Sequence, residues 1–158
     1  MTKILFVCHG NICRSPMAEF VMKDMLKKQG LDKCFYVASA ATSSEELGNP
    51  PHRGARLRLE REGISCAGKT AVRLRKEDYA QYDYIIGMDE WNKRNMLRLF
   101  GGDPEHKISL LLEWAGEAGE VADPWYTGDF ETTYQDVFKG CTAILSKLKN
   151  GKKQPGIF

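Results

Sequence analysis

Residues 8–15 read Cys8-His9-Gly10-Asn11-Ile12-Cys13-Arg14-Ser15, a cysteine and an arginine with five residues between them and Ser15-Pro16 directly after. These residue types at this spacing suit the binding and attack of a phosphate-like anion. A cysteine at the positive end of a helix is held as its thiolate, the nucleophilic form. Gly10 lets the backbone turn tightly, and Asn11 tolerates a left-handed conformation. Successive backbone N–H groups in such a turn converge into a nest for an oxyanion. Arg14 offers a planar fork that matches two phosphate oxygens. The Ser15 hydroxyl either caps the following helix or hydrogen-bonds the thiolate, and one geometry does not serve both. Taken alone, Cys8 reads as a buried structural cysteine. Its combination with Arg14, the loop glycine and Ser-Pro turns the reading toward catalysis.

Such a loop works only if a strand delivers Cys8 and a helix opens just beyond Arg14. The apolar run of residues 3–8 predicts a buried strand, ended by His-Gly-Asn. Ser15 is a good N-cap, Pro16 suits the first helical position, and Met17, Phe20, Val21 and Met25 share one face of a helix that Gly30 ends. Further strands are predicted at 35–41, 82–88 and 107–112, and further helices at 52–62, 89–100 and 131–149, with a Gly- and acid-rich loop over 113–124. Strands alternating with helices predict a three-layer α/β/α fold of Rossmann-like type around a central four-stranded parallel sheet. Ligands of such sheets bind beyond the carboxyl ends of strands, beside helix N-termini. The turn at 8–15 occupies that position.

The length of 158 residues predicts one domain spanning 1–158, with a polar tail at 150–158 expected to fray. Apolar content of 42% and charged content of 28% are those of an ordinary globular protein. The N-terminal apolar run is too short for a signal peptide and no stretch is long enough for a membrane span, so a cytoplasmic location is expected. Five cysteines (Cys8, Cys13, Cys34, Cys66 and Cys141) at irregular spacing read as thiols rather than a disulfide framework. Eight Lys/Arg against Glu60 and Glu62 crowd residues 53–76, and seven acids without a cation occupy 113–136. Both read as solvated helix faces rather than a nucleic-acid surface.

The segment Val7–Glu19 resembles the signature of the low-molecular-weight protein tyrosine phosphatases. The likeness continues through Ser39-Ala40-Ala41-Thr42, Tyr84-Ile85-Ile86-Gly87-Met88-Asp89 and Asp123-Pro124-Trp125-Tyr126, in family order and spacing. The resemblance implies the phosphotyrosine protein phosphatase I type of fold and hydrolysis of phosphotyrosine through a covalent phosphocysteine. It implies Cys8 as nucleophile, Arg14 as clamp on the phosphate and Asp123 as general acid. Residues His9, Gly10, Asn11, Ile12, Cys13 and Ser15 would complete the phosphate-binding loop. Asn11, Ser15 and Ser39 would form the network that supports it, and Ile12, Glu45, Trp125 and Tyr126 would line the substrate crevice. Cys13 would be a redox partner of Cys8, or simply a small buried side chain. Expected substrates are phosphotyrosine-containing proteins, and small aryl phosphates in vitro. No metal or other cofactor, no nucleic acid and no membrane are expected, and a monomer suffices.

Three positions depart from the family pattern. His9 stands beside the nucleophile in place of an apolar residue. Glu45 stands where an aromatic wall residue is usual, and Lys69 where eukaryotic members carry a histidine that supports the loop network. Rival readings are weaker. Gly63–Thr70 matches the Walker A pattern, but a P-loop must follow a buried strand and open a helix. Arsenate reduction needs two further cysteines near each other, and no pair is evident. Phosphoarginine phosphatases tend to have Thr at the position of Ile12. A non-catalytic phosphate-binding module is opposed by the presence of Cys8, Arg14 and Asp123 together. The histidines His9, His52 and His106 have no metal-ligand spacing.

Overall fold

Strand β1 (Thr2–Cys8) is buried on both faces, as its continuous apolar run requires. Ile4, Phe6 and Cys8 join one core, and Leu5 and Val7 join another on the opposite side. The computed structural model describes residues 1–149, so the tail expected to fray lies outside the described residues. After β1 come α1 (Arg14–Lys28), β2 (Phe35–Ala41), α2 (Arg53–Glu60), α3 (Asp78–Gln81), β3 (Tyr84–Gly87) and α4 (Glu90–Phe100). The order ends with β4 (Ile108–Leu110), a 3-10 turn (Leu111–Ala115), α5 (Pro124–Thr127) and α6 (Phe130–Lys149).

The four strands pair in parallel in the order β2-β1-β3-β4. One layer, with α1, α2, α6 and the 3-10 turn, packs on Ile4, Phe6 and Ile86. The other, with α3 and α4, packs on Leu5, Val7 and Ile85 through Tyr79, Met96 and Leu99. This is the expected three-layer α/β/α arrangement. From β1 the chain winds to β2 on one side and later to β3 on the other, so the carboxyl end of β1 is a topological switch point. Crevices form there because the connections leave in opposite directions.

Most elements lie where periodicity predicts them, and β2 matches at both ends. The fourth strand is shorter than expected. Leu111, Leu112 and Trp114 turn away from the sheet into the 3-10 turn and are buried by α6, a fate that an apolar run alone does not distinguish from a strand. The four-residue helices α3 and α5 are too short for any periodic signal. Gly63–Thr70 follows α2, with no strand before it and no helix after it, which removes the Walker reading. Part of the basic segment meets the acidic one: Arg58 donates to Glu131 at 2.8 Å and lies over the Tyr134 ring, while its Nη1 forms an ion pair at 3.3 Å with Glu62 of its own segment.

Close approach of α6 to the 3-10 turn depends on Gly140. A Cβ there would lie 2.4 Å from Leu111 Cγ, a branch point that cannot swing aside. Gly140→Ala is therefore expected to lower unfolding free energy by about 1–2 kcal/mol in urea titration. Overpacking of about 1–3 kcal/mol is only partly offset by the better helix propensity of alanine.

Candidate active site at the carboxyl end of strand β1

The loop between β1 and α1 wraps around the Cys8 sulfur, which is 3% exposed. Sγ accepts from Asn11 N at 3.3 Å and Ser15 N at 3.4 Å, and Ser15 Oγ lies 3.0 Å away. Two backbone amides and a hydroxyl thus converge on one sulfur. Ser15 is thus not the N-cap. α1 opens two residues earlier than expected, at Arg14, and its N-cap Cys13 makes no side-chain bond. Of the two roles open to the Ser15 hydroxyl, the sulfur has taken it.

As its tolerance of that conformation suggests, Asn11 is the left-handed residue of the loop, at φ 60°. The conformation is unfavourable for a residue with a Cβ, and the Asn11 side chain stabilises it with three hydrogen bonds. Its Oδ1 accepts from Val72 N at 3.1 Å, which sets the orientation of the amide. Its Nδ2 then donates to Ser15 Oγ at 2.7 Å and to Ser39 Oγ at 2.9 Å. A Cβ at Gly10 would make only ordinary van der Waals contact, 3.4 Å from Glu46 Cγ.

The network runs deeper than Ser39. Ser39 Oγ donates to the buried Glu19 at 2.6 Å, so its lone pairs face Asn11. Ser15 accepts from Asn11 and is left to donate toward sulfur, so donation runs outward from the Asn11 amide, through Ser15 to Cys8 on one side and through Ser39 to Glu19 on the other. Lys69 Nζ closes the far end, donating to Ser39 O at 3.0 Å and pairing with Glu19 at 3.4 Å. Lysine therefore supports the loop at the position where the family resemblance offered a histidine. Burial lowers the Lys69 pKa, and the Glu19 carboxylate opposes that shift. A wider hollow along the free edge of β2 reaches Glu19, Ser39 and Lys69 from behind and contains no cysteine.

Arg14 is 3% exposed, and its fork is held from three sides. Nη1 donates to Asp89 Oδ2 at 2.7 Å and to Val121 O at 3.0 Å, and Nη2 reaches Asp123 Oδ2 at 3.5 Å. Burial alone would lower the Arg14 pKa. The Cys8, Asp89 and Asp123 charges more than reverse this, and the guanidinium stays charged. Asp89 does two jobs, since its Oδ1 caps α4 by accepting from Asn92 N at 2.8 Å. Asp123 is the N-cap of α5, with Oδ1 accepting from Trp125 N at 3.0 Å.

Cys8, His9, Gly10, Ile12, Cys13, Arg14, Glu45, Asp123, Trp125 and Tyr126 line a single crevice together with Glu46, and Asn11, Ser15 and Ser39 lie beneath it. Every site residue expected from the sequence is in this constellation. Trp125 and the 83% exposed Tyr126 form one wall, and the Trp125 ring meets His52 edge-on at 5.7 Å. His9 spans the opening to Glu45, with Nε2 and Oε2 2.7 Å apart. Burial, then the charges of Cys8 and Asp123, push the Cys13 thiol up to about 12. Asp89, Glu19 and Glu46 were not expected as site residues. Asp89 could have been suspected from its place at the end of the third strand, where α/β crevices form.

An anion nest around a cysteine, an arginine fork and an aspartate at a crevice mouth can together accept and cleave a phosphate monoester. The family profile described as low molecular weight phosphotyrosine protein phosphatase matches residues 3–154. The chain belongs to that family. Among its relatives, the low molecular weight protein-tyrosine-phosphatase YfkJ of Bacillus subtilis is 39% identical over 155 residues, covering 97% of this chain and 99% of that one. The YfkJ crystal structure superposes with a TM-score of 0.93 over 96% of this chain and 97% of that chain. SP-PTP of Streptococcus pyogenes, also a low molecular weight protein tyrosine phosphatase, is 44% identical, with a TM-score of 0.84 over 94% and 93% of the two chains. The drosophila arginine phosphatase DARP shares the low molecular weight phosphatase fold at 29% identity, with a TM-score of 0.85 over 96% and 100%.

Proposed function

We propose that this phosphatase hydrolyses phosphotyrosine through a phosphocysteine on Cys8, acting as a cytoplasmic monomer. The observation that carries the reading is the set of three donors on Cys8 Sγ, with Arg14 and Asp123 in the same crevice. Sulfur attacks phosphorus, the S–P bond forms and the P–O bond to the phenol breaks as Asp123 gives its proton to the leaving oxygen. The Asp123 carboxylate then takes a proton from water, whose oxygen displaces sulfur and releases phosphate. Arg14 and the loop amides meet the charge on the equatorial oxygens in both steps.

Ile12 under the crevice and the aromatic pair Trp125 and Tyr126 beside it favour a phenyl ring over a guanidinium. Cys66 and Cys141 are buried in the core, where desolvation raises both thiols, so neither is suited to the disulfide relay of arsenate reduction. All five cysteines are free thiols, as a reducing compartment demands of a thiol enzyme, and one chain supplies the whole site. Among the described residues, no helix is long and apolar enough to cross a membrane.

Turnover of p-nitrophenyl phosphate between pH 5 and 8 in excess EDTA, followed by paired phosphotyrosine and phosphoarginine peptides, tests this reading. The expected outcome is turnover insensitive to EDTA and a clear preference for phosphotyrosine. No turnover by folded, reduced protein overturns the phosphatase function. Preference for phosphoarginine would reassign the substrate.

A further inference from the structure

The wall of the crevice opposite Trp125 is acidic and firmly attached. Residues 42–45 are clipped to the phosphate-binding loop: Thr42 N donates to Cys8 O at 3.0 Å, Ser43 N to His9 O at 3.1 Å and Ser43 Oγ to the same carbonyl at 2.9 Å. The His9 ring then holds Glu45 Oε2 at 2.7 Å. Glu45 remains 68% exposed, and its Oε1 has no partner among the described residues. Glu46 follows, with Oε1 accepting from Asn49 Nδ2 at 3.2 Å and Oε2 likewise without a partner. Both carboxylates line the crevice that contains Cys8.

From these positions we infer that Glu45 and Glu46 select phosphotyrosine flanked by lysine or arginine, an inference that rests on the phosphatase reading above. The loop and Arg14 account for the phosphate dianion, so the anion requirement is met at the floor of the crevice. Whatever adjoins the phosphotyrosine in a protein substrate passes the rim, where Glu45 and Glu46 stand beside His9 and across from the catalytic Asp123. Arg73, hydrogen-bonded to Ser44 Oγ on this loop, keeps its charge but does not line the crevice. An acidic flank meets like charge beside a site already receiving a dianion. A basic flank finds two carboxylate oxygens held in place, so little side-chain ordering is needed on the enzyme side. Exposed pairs of this kind are weak singly. Two acting together, compared across a reversal of charge, shift kcat/KM by about tenfold.

The test uses three phosphotyrosine peptides that differ only in flanking residues, lysine, serine or glutamate on both sides, with wild type, Glu45→Gln, Glu46→Gln and the double variant. The readout is the ratio of kcat/KM for the lysine peptide to that for the glutamate peptide. Wild type is expected to show about tenfold at low salt, collapsing several-fold in 0.5 M NaCl, where screening extends only about 4 Å. Each single variant is expected to lose part of the ratio and the double variant to approach unity. A wild-type ratio near one or inverted, or a ratio unchanged in the double variant, overturns the inference. Turnover of p-nitrophenyl phosphate, which has no flanks, keeps the two questions apart. Wild type inactive on it sinks the phosphatase reading, whereas an active enzyme indifferent to flanking charge sinks only the selector.

Discussion

Cys8→Ser is expected to reduce p-nitrophenyl phosphate turnover by at least about four orders of magnitude, the scale on which enzymes lose rate when their nucleophile is removed. A serine hydroxyl is not ionised at neutral pH, and the donors from Asn11 N, Ser15 N and Ser15 Oγ cannot make it so. The change is small and buried, and it leaves the backbone nest and the Arg14 fork as they are. Phosphate binding, read as protection against thermal unfolding, is therefore expected to survive within a few-fold. Inactivity together with retained phosphate binding is the pattern that identifies a nucleophile. Residual turnover within tenfold of wild type would show that sulfur is not the attacking atom.

Asp123→Asn is expected to lower kcat by about 10²–10⁴-fold, the range for loss of a positioned general acid. Asparagine retains an Oδ1 that can still accept from Trp125 N, so α5 keeps its cap and the effect reports proton transfer rather than a collapsed wall. The loss should depend on the leaving group. A phenol that departs poorly needs the proton most, so phenyl phosphate is expected to suffer more than p-nitrophenyl phosphate. Equal losses on both substrates would assign Asp123 to the second, hydrolytic step alone, where the leaving phenol has already gone. Its contact with Arg14 at 3.5 Å is long, and substituting it leaves Arg14 bound to Asp89 and Val121.

The sequence located the chemistry because the motif is local. Cys8, Arg14 and the residues between them are close along the chain, and a strand that ends where a helix begins shows in hydrophobic pattern. The helix beginning at residue 89 and β2 at both of its ends were legible for the same reason, as was Asp123 through its family segment. The short helices α3 and α5 were not, because four residues display no period.

The roles within the loop were less legible than its members. Ser15 has the profile of an N-cap as well as of a partner for the sulfur, and the sulfur engages it, while Asn11, tolerant of a left-handed conformation, adopts one. Both choices are decided by partners far along the chain: Ser39 and Val72 hold the Asn11 amide, and Glu19 with Lys69 orients Ser39. The bond from Arg14 to Asp89 spans seventy-five positions, a separation over which no periodicity carries information.

By itself the sequence determined the alternation of strands and helices, the nucleophilic loop and the family, because these rest on neighbouring residues and on hydrophobic period. Only the tertiary structure decided the direction of the hydrogen bonds from Glu19 to the sulfur, the clamp on Arg14 and the seating of Glu45 against His9. The physical reason is that a hydrogen bond or ion pair depends on distances of about 3 Å between side chains, and packing of the sheet layers, not the order of residues, brings those side chains together.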